Sequence, residues 1–391
     1  MTKDELREEV LQSKAKNILC EFPTGVGKSK IAIELIRRNY KRGDKILIVI
    51  PKLVLIDNWK DEFKKWHYES MLKDVTFTTY RSLGKHVNNW FTVTYDEVHH
   101  LTDRCLEFIP EIKSKYNILL SATVGYKKRW DLQAFFPNLE IHKIGVRKAI
   151  DDNILPDPKV YLIPLKLDNK VLNKEIIKNP KYKESITINY TDRYNYRKVT
   201  NRKIIIKCTQ QQYYDDMSGL INWYKLKSHS KTYMDLYLRA CGKRLKWLSN
   251  EKTEFIKFLL NTFQNRRVLT FCNSIEQTQI VCCHCINSKN KESKEILDWF
   301  NKKLINHISS VAILDEGVNL GECEIGLFGM LNSSFRLQQQ RLGRLLRHKT
   351  PIVIIPYYIG TRDEEIVNKM IQDYNPDLIT VVKDIKELSK I

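Results

Sequence analysis

The 391-residue sequence predicts an α/β protein in which two parallel-sheet units flank a basic, mainly helical insert. Two observations carry this expectation. Short apolar runs alternate with helical patterns near both ends of the chain, and the charge changes abruptly between them. Residues 1–158 hold 27 basic and 22 acidic side chains, residues 159–247 hold 20 and 7, and residues 248–391 hold 19 and 17. Most of the net charge of +20 therefore sits in the middle of the chain. The expected units are residues 1–150, an insert with its linker over 151–250, and residues 251–391.

In the first unit, Asn17–Cys20, Ile46–Ile50, Phe77–Tyr80, Phe91–Tyr95 and Ile118–Leu120 read as strands. Leu55, Trp59, Phe63 and Trp66 recur at helical spacing and mark one apolar face. Asp151–Pro158 contains two prolines, which break any helix or central strand, and reads as the linker. The last unit repeats the alternation with Val268–Phe271, Val281–Ile286, Ser310–Leu314, Glu324–Phe328 and Pro351–Ile355. A parallel sheet of this kind places its ligands at the carboxyl ends of the strands.

Composition narrows the partners. An excess of 66 Lys and Arg over 46 Asp and Glu favours a polyanion. No apolar run is long enough to span a bilayer, and the polar start Met1–Glu9 is unlike a signal peptide. The nine cysteines do not form a disulfide framework; Cys20 and Cys272 lie in apolar runs, as buried free thiols do. The expectation is a cytoplasmic protein, in the host-cell cytoplasm if the chain is virus-encoded, with no membrane partner.

Phe22-Pro23-Thr24-Gly25-Val26-Gly27-Lys28-Ser29 joins a strand to a helix, the setting a phosphate-binding loop requires. Glycines turn backbone N–H groups toward phosphate oxygens. Lys28 is placed to reach the β/γ-phosphates, Ser29 to hold Mg²⁺, and the helix N-terminus adds positive potential. Asp96-Glu97-Val98-His99 follows the strand Phe91–Tyr95. Phosphoanhydride hydrolysis needs one carboxylate for the Mg²⁺ shell and one to orient water, roles that fit Asp96 and Glu97. Alone, such a pair reads as a solvated acidic turn. Ser121-Ala122-Thr123 follows the next strand and by itself is only a small-residue turn.

Near the far end, Gln340-Arg341-Leu342-Gly343-Arg344-Leu345-Leu346-Arg347 sets Arg344 and Arg347 three apart, on one helical face. Paired guanidinium groups neutralise charge developing on a γ-phosphate. The bland alternative, a basic amphipathic helix, explains the leucines but not the Q-x-x-G-R-x-x-R spacing.

The ordered set PTGVGKS, DEVH, SAT and QRLGRLLR resembles the superfamily 2 helicases and translocases, over residues 16–148 and 251–360. Asp315-Glu316-Gly317-Val318-Asn319-Leu320 is similar to motif V of the DExH branch that includes phage recombination helicases and restriction translocases. The resemblance implies two RecA-like domains, with ATP and Mg²⁺ in the cleft between them and nucleic acid across their top. It adds Gln340 to the catalytic set, and Gly317 and Asn319 to the nucleotide contacts. Lys52 (motif Ia), Thr79 and Tyr80 (motif Ib), and Asn273 and Ser274 (motif IV) become expected nucleic-acid contacts. The sequence departs from the family at Phe22, at Asn319, where many relatives place Asp, and in having no clear upstream glutamine motif.

The insert holds ten of the nineteen tyrosines. In Asp192-Arg193-Tyr194-Asn195-Tyr196-Arg197-Lys198 basic and aromatic residues interleave, which suits phosphate contact with base stacking. A solvated helical face over a small core is the bland reading. Cys282-Cys283-His284-Cys285 is read as part of a buried strand, whose successive side chains point to opposite faces and cannot close around one ion.

The sequence thus points to an ATP-driven helicase or translocase, with DNA favoured over RNA and with replication, recombination or repair partners implied. The alternatives are an RNA helicase, the motor subunit of a restriction-type complex, and a nucleic-acid-binding scaffold with a nucleotide switch.

Overall fold

The computed structural model describes residues 1–195, 201–311, 320–332, 345 and 348–390. Its first unit is a six-stranded, wholly parallel sheet. The strands are β1 (Asn17–Glu21), β2 (Ile46–Ile50), β3 (Val75–Thr79), β4 (Asn89–Tyr95), β5 (Lys113–Ser121) and β6 (Glu140–Lys143), in the order β3-β2-β4-β5-β1-β6. β2 is a run of Ile, Leu and Val buried at every position, as a strand covered on both faces requires. Helix Leu55–Lys65 covers one face by burying Leu55, Trp59 and Phe63, three residues of the expected apolar stripe.

Among the described residues, the second unit forms a seven-stranded sheet whose pairings are all parallel. In chain order its strands are β7 (Lys159–Leu165), β11 (Val268–Phe271), β12 (Cys285–Ile286), β13 (His307–Ser310), β14 (Ile325–Phe328), β15 (Ile352–Tyr358) and β16 (Ile379–Val381). β7 was expected with the linker and insert. It instead lies between β15 and β16, with Val160 opposite Val353 on one side and Ile379 on the other. The chain thus enters the second sheet, leaves to form the insert, and returns.

The insert pairs β8 (Lys174–Lys178), β9 (Ser185–Asn189) and β10 (Lys203–Cys208) in the order β8-β10-β9. Helices Gln210–Leu226 and Lys231–Glu251 follow, and they make it mainly helical, with a small sheet that periodicity did not reveal. The first opens on a capping box, Thr209 with Gln212. The second continues almost directly into helix Thr253–Thr262 of the second unit. At that junction the buried Lys252 donates to Asp363 at 2.8 Å and to the Pro356 carbonyl at 3.3 Å. A buried cation held in this way fixes the joint, because removing its carboxylate would leave the charge uncompensated.

Another correction concerns Val281–Ile286. Helix Ile275–Val281 occupies the start of that run, and only Cys285 and Ile286 are strand. A short apolar run does not distinguish helix from strand by period alone. Among the described residues, no helix is long and apolar enough to cross a membrane. All nine cysteines are free thiols.

Candidate nucleotide and nucleic-acid site

The motifs of the first unit meet because their strands are neighbours. β4, β5 and β1 lie side by side, and at their carboxyl ends stand Asp96–Glu97, Ser121–Thr123 and the loop Phe22–Ser29. In that loop Gly25 and Gly27 have φ of 96° and 103°. Side chains rarely adopt this conformation, so glycine is required for the backbone to turn its N–H groups inward. A Cβ at Gly27 would meet no atom within 4 Å, so the loop faces open space. Pro23 and Val26 are buried, Thr24, Lys28 and Ser29 half-buried. Helix Lys28–Asn39 begins immediately after the loop, and Lys28 Nζ donates to the Phe22 carbonyl at 3.0 Å. Phe22, the departure from the usual small residue, is fully buried and serves the core.

Asp96 is fixed from several sides. Its N–H donates to the Val49 carbonyl at 2.8 Å. The indole N–H of Trp59 donates to Asp96 Oδ2 at 3.0 Å, and the Tyr80 hydroxyl donates to the Asp96 carbonyl at 2.7 Å. Burial and the neighbouring Glu97 push the Asp96 carboxyl up to about 6, against the opposing pull of Trp59 and Lys28. Glu97 has φ 49° and ψ 58°, a left-handed conformation costly for a non-glycine residue. Its Oε2 is buried without a hydrogen bond. His99 Nδ1 lies 3.4 Å from that oxygen and 3.1 Å from Ser121 Oγ, which ties DEVH to SAT. A strained carboxylate with an unsatisfied oxygen is suited to hold a water molecule.

Sequence reasoning missed Glu21, the last residue of β1. It is buried, accepts from the Val124 N–H at 3.3 Å and from Arg129, and has Lys143 Nζ 3.4 Å away. It thereby joins the strand before the phosphate loop to the segment after SAT. A lone acid ending an apolar run was the available signal. Trp59 was legible as an apolar-stripe residue, but its polar handle was not.

The oxygen donors of Ser29 and Asp96 suit a hard divalent cation, and the open space at the loop suits phosphate, so the residues fit Mg²⁺ with a nucleotide. Beside the loop, a cleft of about 810 Å³ is lined by Lys3, Gly25, Arg147, Asp157, His348 and Asn375, among others. Residues of the second unit thus face the phosphate loop. Lys3 Nζ donates to the Gly25 carbonyl at 3.3 Å.

The expected nucleic-acid residues divide. Lys52 is exposed at the start of a segment where Leu53 and Val54 are 65% and 45% exposed, and Thr79 is half-buried. Tyr80 is 6% exposed and turned toward Asp96, so its ring does not face a nucleic-acid surface. Asn273 is half-buried, and the Ser274 hydroxyl caps helix Ile275–Val281 by accepting from the Gln277 N–H at 3.2 Å. Arg193 lies over the rings of Tyr190 and Tyr194, 3.7 and 4.3 Å from their centroids, and Tyr194 is 53% exposed. Gln340, Arg344, Arg347, Gly317, Asn319, Tyr196, Arg197 and Lys198 lie outside the described residues. Leu345 is described: it is fully buried, and a Cβ on Gly326 would stand 2.0 Å from its Cδ1.

The strand geometry expected to exclude a metal at Cys282–Cys285 is not what forms. Cys282, Cys283 and His284 are not on a strand, and their ligand atoms lie within 4.8 Å of one another. Burial pushes the Cys282 thiol up to about 12, so at neutral pH it is a protonated thiol.

Comparison with known proteins agrees with this geometry. Residues 3–125 match the family described as type III restriction enzyme, res subunit, and residues 251–349 match the helicase conserved C-terminal domain. The chain is 25% identical over 384 residues to DNA 3'-5' translocase XPB2 of Sulfurisphaera tokodaii, covering 92% of this chain and 80% of that protein. Among solved structures, a variant of S. cerevisiae Dbp5 bound to RNA and ADP BeF3 superposes with a TM-score of 0.63 at 11% identity, covering 99% of this chain and 92% of that one. S. cerevisiae Dbp5 with the same ligands gives 0.62 at 10% identity over the same shares. At these identities the structural likeness concerns the fold alone: two RecA-like sheets.

Proposed function

This chain belongs to the superfamily 2 helicases and translocases, ATP-hydrolysing enzymes that act on nucleic acid, and on that premise we propose that it moves along or separates DNA. The observation that carries the hydrolytic part is the carboxylate pair at the end of β4, where Glu97 is held at positive φ with a buried, unsatisfied oxygen. DNA is favoured by the similarity to a DNA translocase and by the cations of the insert.

In this reading the N–H groups of the loop from Pro23 to Ser29 hold the phosphates, and Lys28 leaves the Phe22 carbonyl for the β/γ oxygens. Ser29 and Asp96 would hold Mg²⁺, which would supply charge neutralisation at the phosphates. Glu97 orients the attacking water. Arg344 and Arg347, with Gln340, come from the second unit and complete the charge stabilisation only when the units close. Gly317 and Asn319 are the nucleotide contacts of motif V. Lys52, Thr79, Asn273 and Ser274 line the strand path, and the insert supplies a second grip through Arg193, Tyr194, Tyr196, Arg197 and Lys198. The working units are the first sheet with its helices, the insert, and the second sheet including β7.

The test is ATPase activity of the full chain with single-stranded, duplex and forked DNA and with RNA. Low basal turnover, stimulated more by DNA than by RNA, is expected. Stimulation by RNA alone would replace this reading with the RNA-helicase one.

A further inference from the structure

Two side chains bond directly to Asp96 from elements that adjoin Lys52 and Thr79. Trp59 stands on helix Leu55–Lys65, which begins three residues after Lys52. Tyr80 follows Thr79 at the end of β3. Both rings are buried, at 3% and 6% exposure, so no solvent replaces Asp96 as their partner. Stranding a buried donor carries its full desolvation penalty, so a displacement of either element must carry Asp96 with it or meet that penalty.

The bond of Trp59 is not the one its helix would supply by default. Trp66, on the same helix line, donates to Glu62 only four residues away, at 2.9 Å. Trp59 reaches 37 residues along the chain, to the carboxylate at the tip of β4. By holding Oδ2 it fixes the direction in which the rest of that carboxylate points. The Asp96 backbone is already anchored to β2 through the Val49 carbonyl. Side-chain direction is therefore the freedom that remains to be set.

We propose that Trp59 and Tyr80 are positioning residues that couple occupancy of the nucleic-acid face at Lys52 and Thr79 to the orientation of Asp96. This rests on the nucleic-acid path assigned under the proposed function. Nucleic acid pressing on the exposed segment 52–54 shifts helix Leu55–Lys65, and Trp59 transmits the shift to the carboxylate oxygen. Tyr80 transmits movement at Thr79 to the Asp96 carbonyl. Coupling of this kind is reciprocal: a cation and nucleotide seated on Asp96 must change DNA affinity by the same factor that DNA changes theirs.

The experiment measures that factor without turnover, in the full chain. Fluorescence anisotropy gives the Kd for labelled single-stranded DNA without nucleotide and with Mg²⁺ and a non-hydrolysable ATP analogue. W59F removes the indole N–H and keeps an aromatic ring, and Y80F removes a single hydroxyl. A wild-type coupling factor in the ordinary range of about 5–150-fold is expected to collapse toward unity in W59F and to fall by a smaller factor in Y80F. W59F, but not Y80F, also raises the Mg²⁺ concentration for half-maximal analogue binding. A merely structural role would lower the melting temperature and leave the coupling factor intact. Should Phe at position 59 prevent folding, Y80F carries the test alone. Coupling factors in the variants equal to the wild type overturn the proposal. Wild-type protein that does not bind DNA at all overturns the proposed function first, and this inference with it.

Discussion

The catalytic edge of the first unit and the surface of the insert use charge in opposite ways. At the edge, the carboxylates of Asp96 and Glu21 are enclosed and shared. Asp96 is held by Trp59 and Tyr80, and Glu21 by Arg129 and the Val124 N–H. The insert holds one tight pair, Lys174–Glu251 at 2.7 Å, but on its outer surface ion pairs are loose and wet. Arg202 and Glu184 are 3.4 Å apart with side chains 52% and 78% exposed, and Lys178 and Asp216 are 3.9 Å apart. Exposed pairs of this kind contribute about 0–1 kcal/mol and are screened by salt. The edge is built for one geometry, as a transition state demands. The insert is built for a polyanion whose register can change, as a moving strand demands.

The largest expected effect breaks the edge. Glu97→Gln keeps the shape and removes the charge that orients water. Turnover should fall by about 10²–10³, the usual size for losing one transition-state electrostatic partner, while nucleotide binding survives. Wild-type hydrolysis by this variant in a steady-state assay would remove Glu97 from its role.

An intermediate effect tests the insert. Neutralising Arg193, Arg202 and Lys203 together should weaken DNA binding and lower the log–log salt slope by about 0.7–0.9 for each phosphate left without its cation. ATPase at saturating DNA should persist. A salt titration with unchanged slope and affinity would reduce the insert to a solvated face.

The smallest effect separates stacking from charge within the insert. Tyr194→Ala should cost about 1–3 kcal/mol if a base stacks on the ring, and it should leave the salt slope alone. Equal affinity for the variant would mean that Tyr194 serves only Arg193, which donates to its hydroxyl at 3.0 Å.

How legible all this was depended on distance along the chain. The phosphate loop, the carboxylate pair and SAT are local strings, each at the end of a recognisable strand, and residue order alone assembled them. The link from Trp59 to Asp96 joins a helix to a strand tip, and no periodicity encodes it. Tyr80 illustrates the same limit: its place beside Thr79 suggested the outer face, whereas its hydroxyl turned inward. β7 was missed for a related reason. Its run Val160–Ile163 is apolar enough for a strand, but its neighbours lie far away in sequence, and a linker with two prolines precedes it. The three-stranded sheet of the insert escaped notice because Ile205, on the less buried face between Ile204 and Ile206, hid the alternation along β10.

The position of β7 also sets the timetable on the ribosome. The first sheet can close as soon as β6 emerges, since all its strands are by then available. β7 emerges next, yet its partner β15 lies roughly 190 residues further on, a wait of about 10–40 s at ordinary elongation rates. For that interval the newborn chain presents an unpaired, apolar strand to its surroundings, the kind of edge that recruits other chains. Pro164, which offers no N–H, sits near the end of that strand and blunts it as a template. Nascent chains halted between residues 166 and 351 should therefore be the ones that holdase chaperones capture.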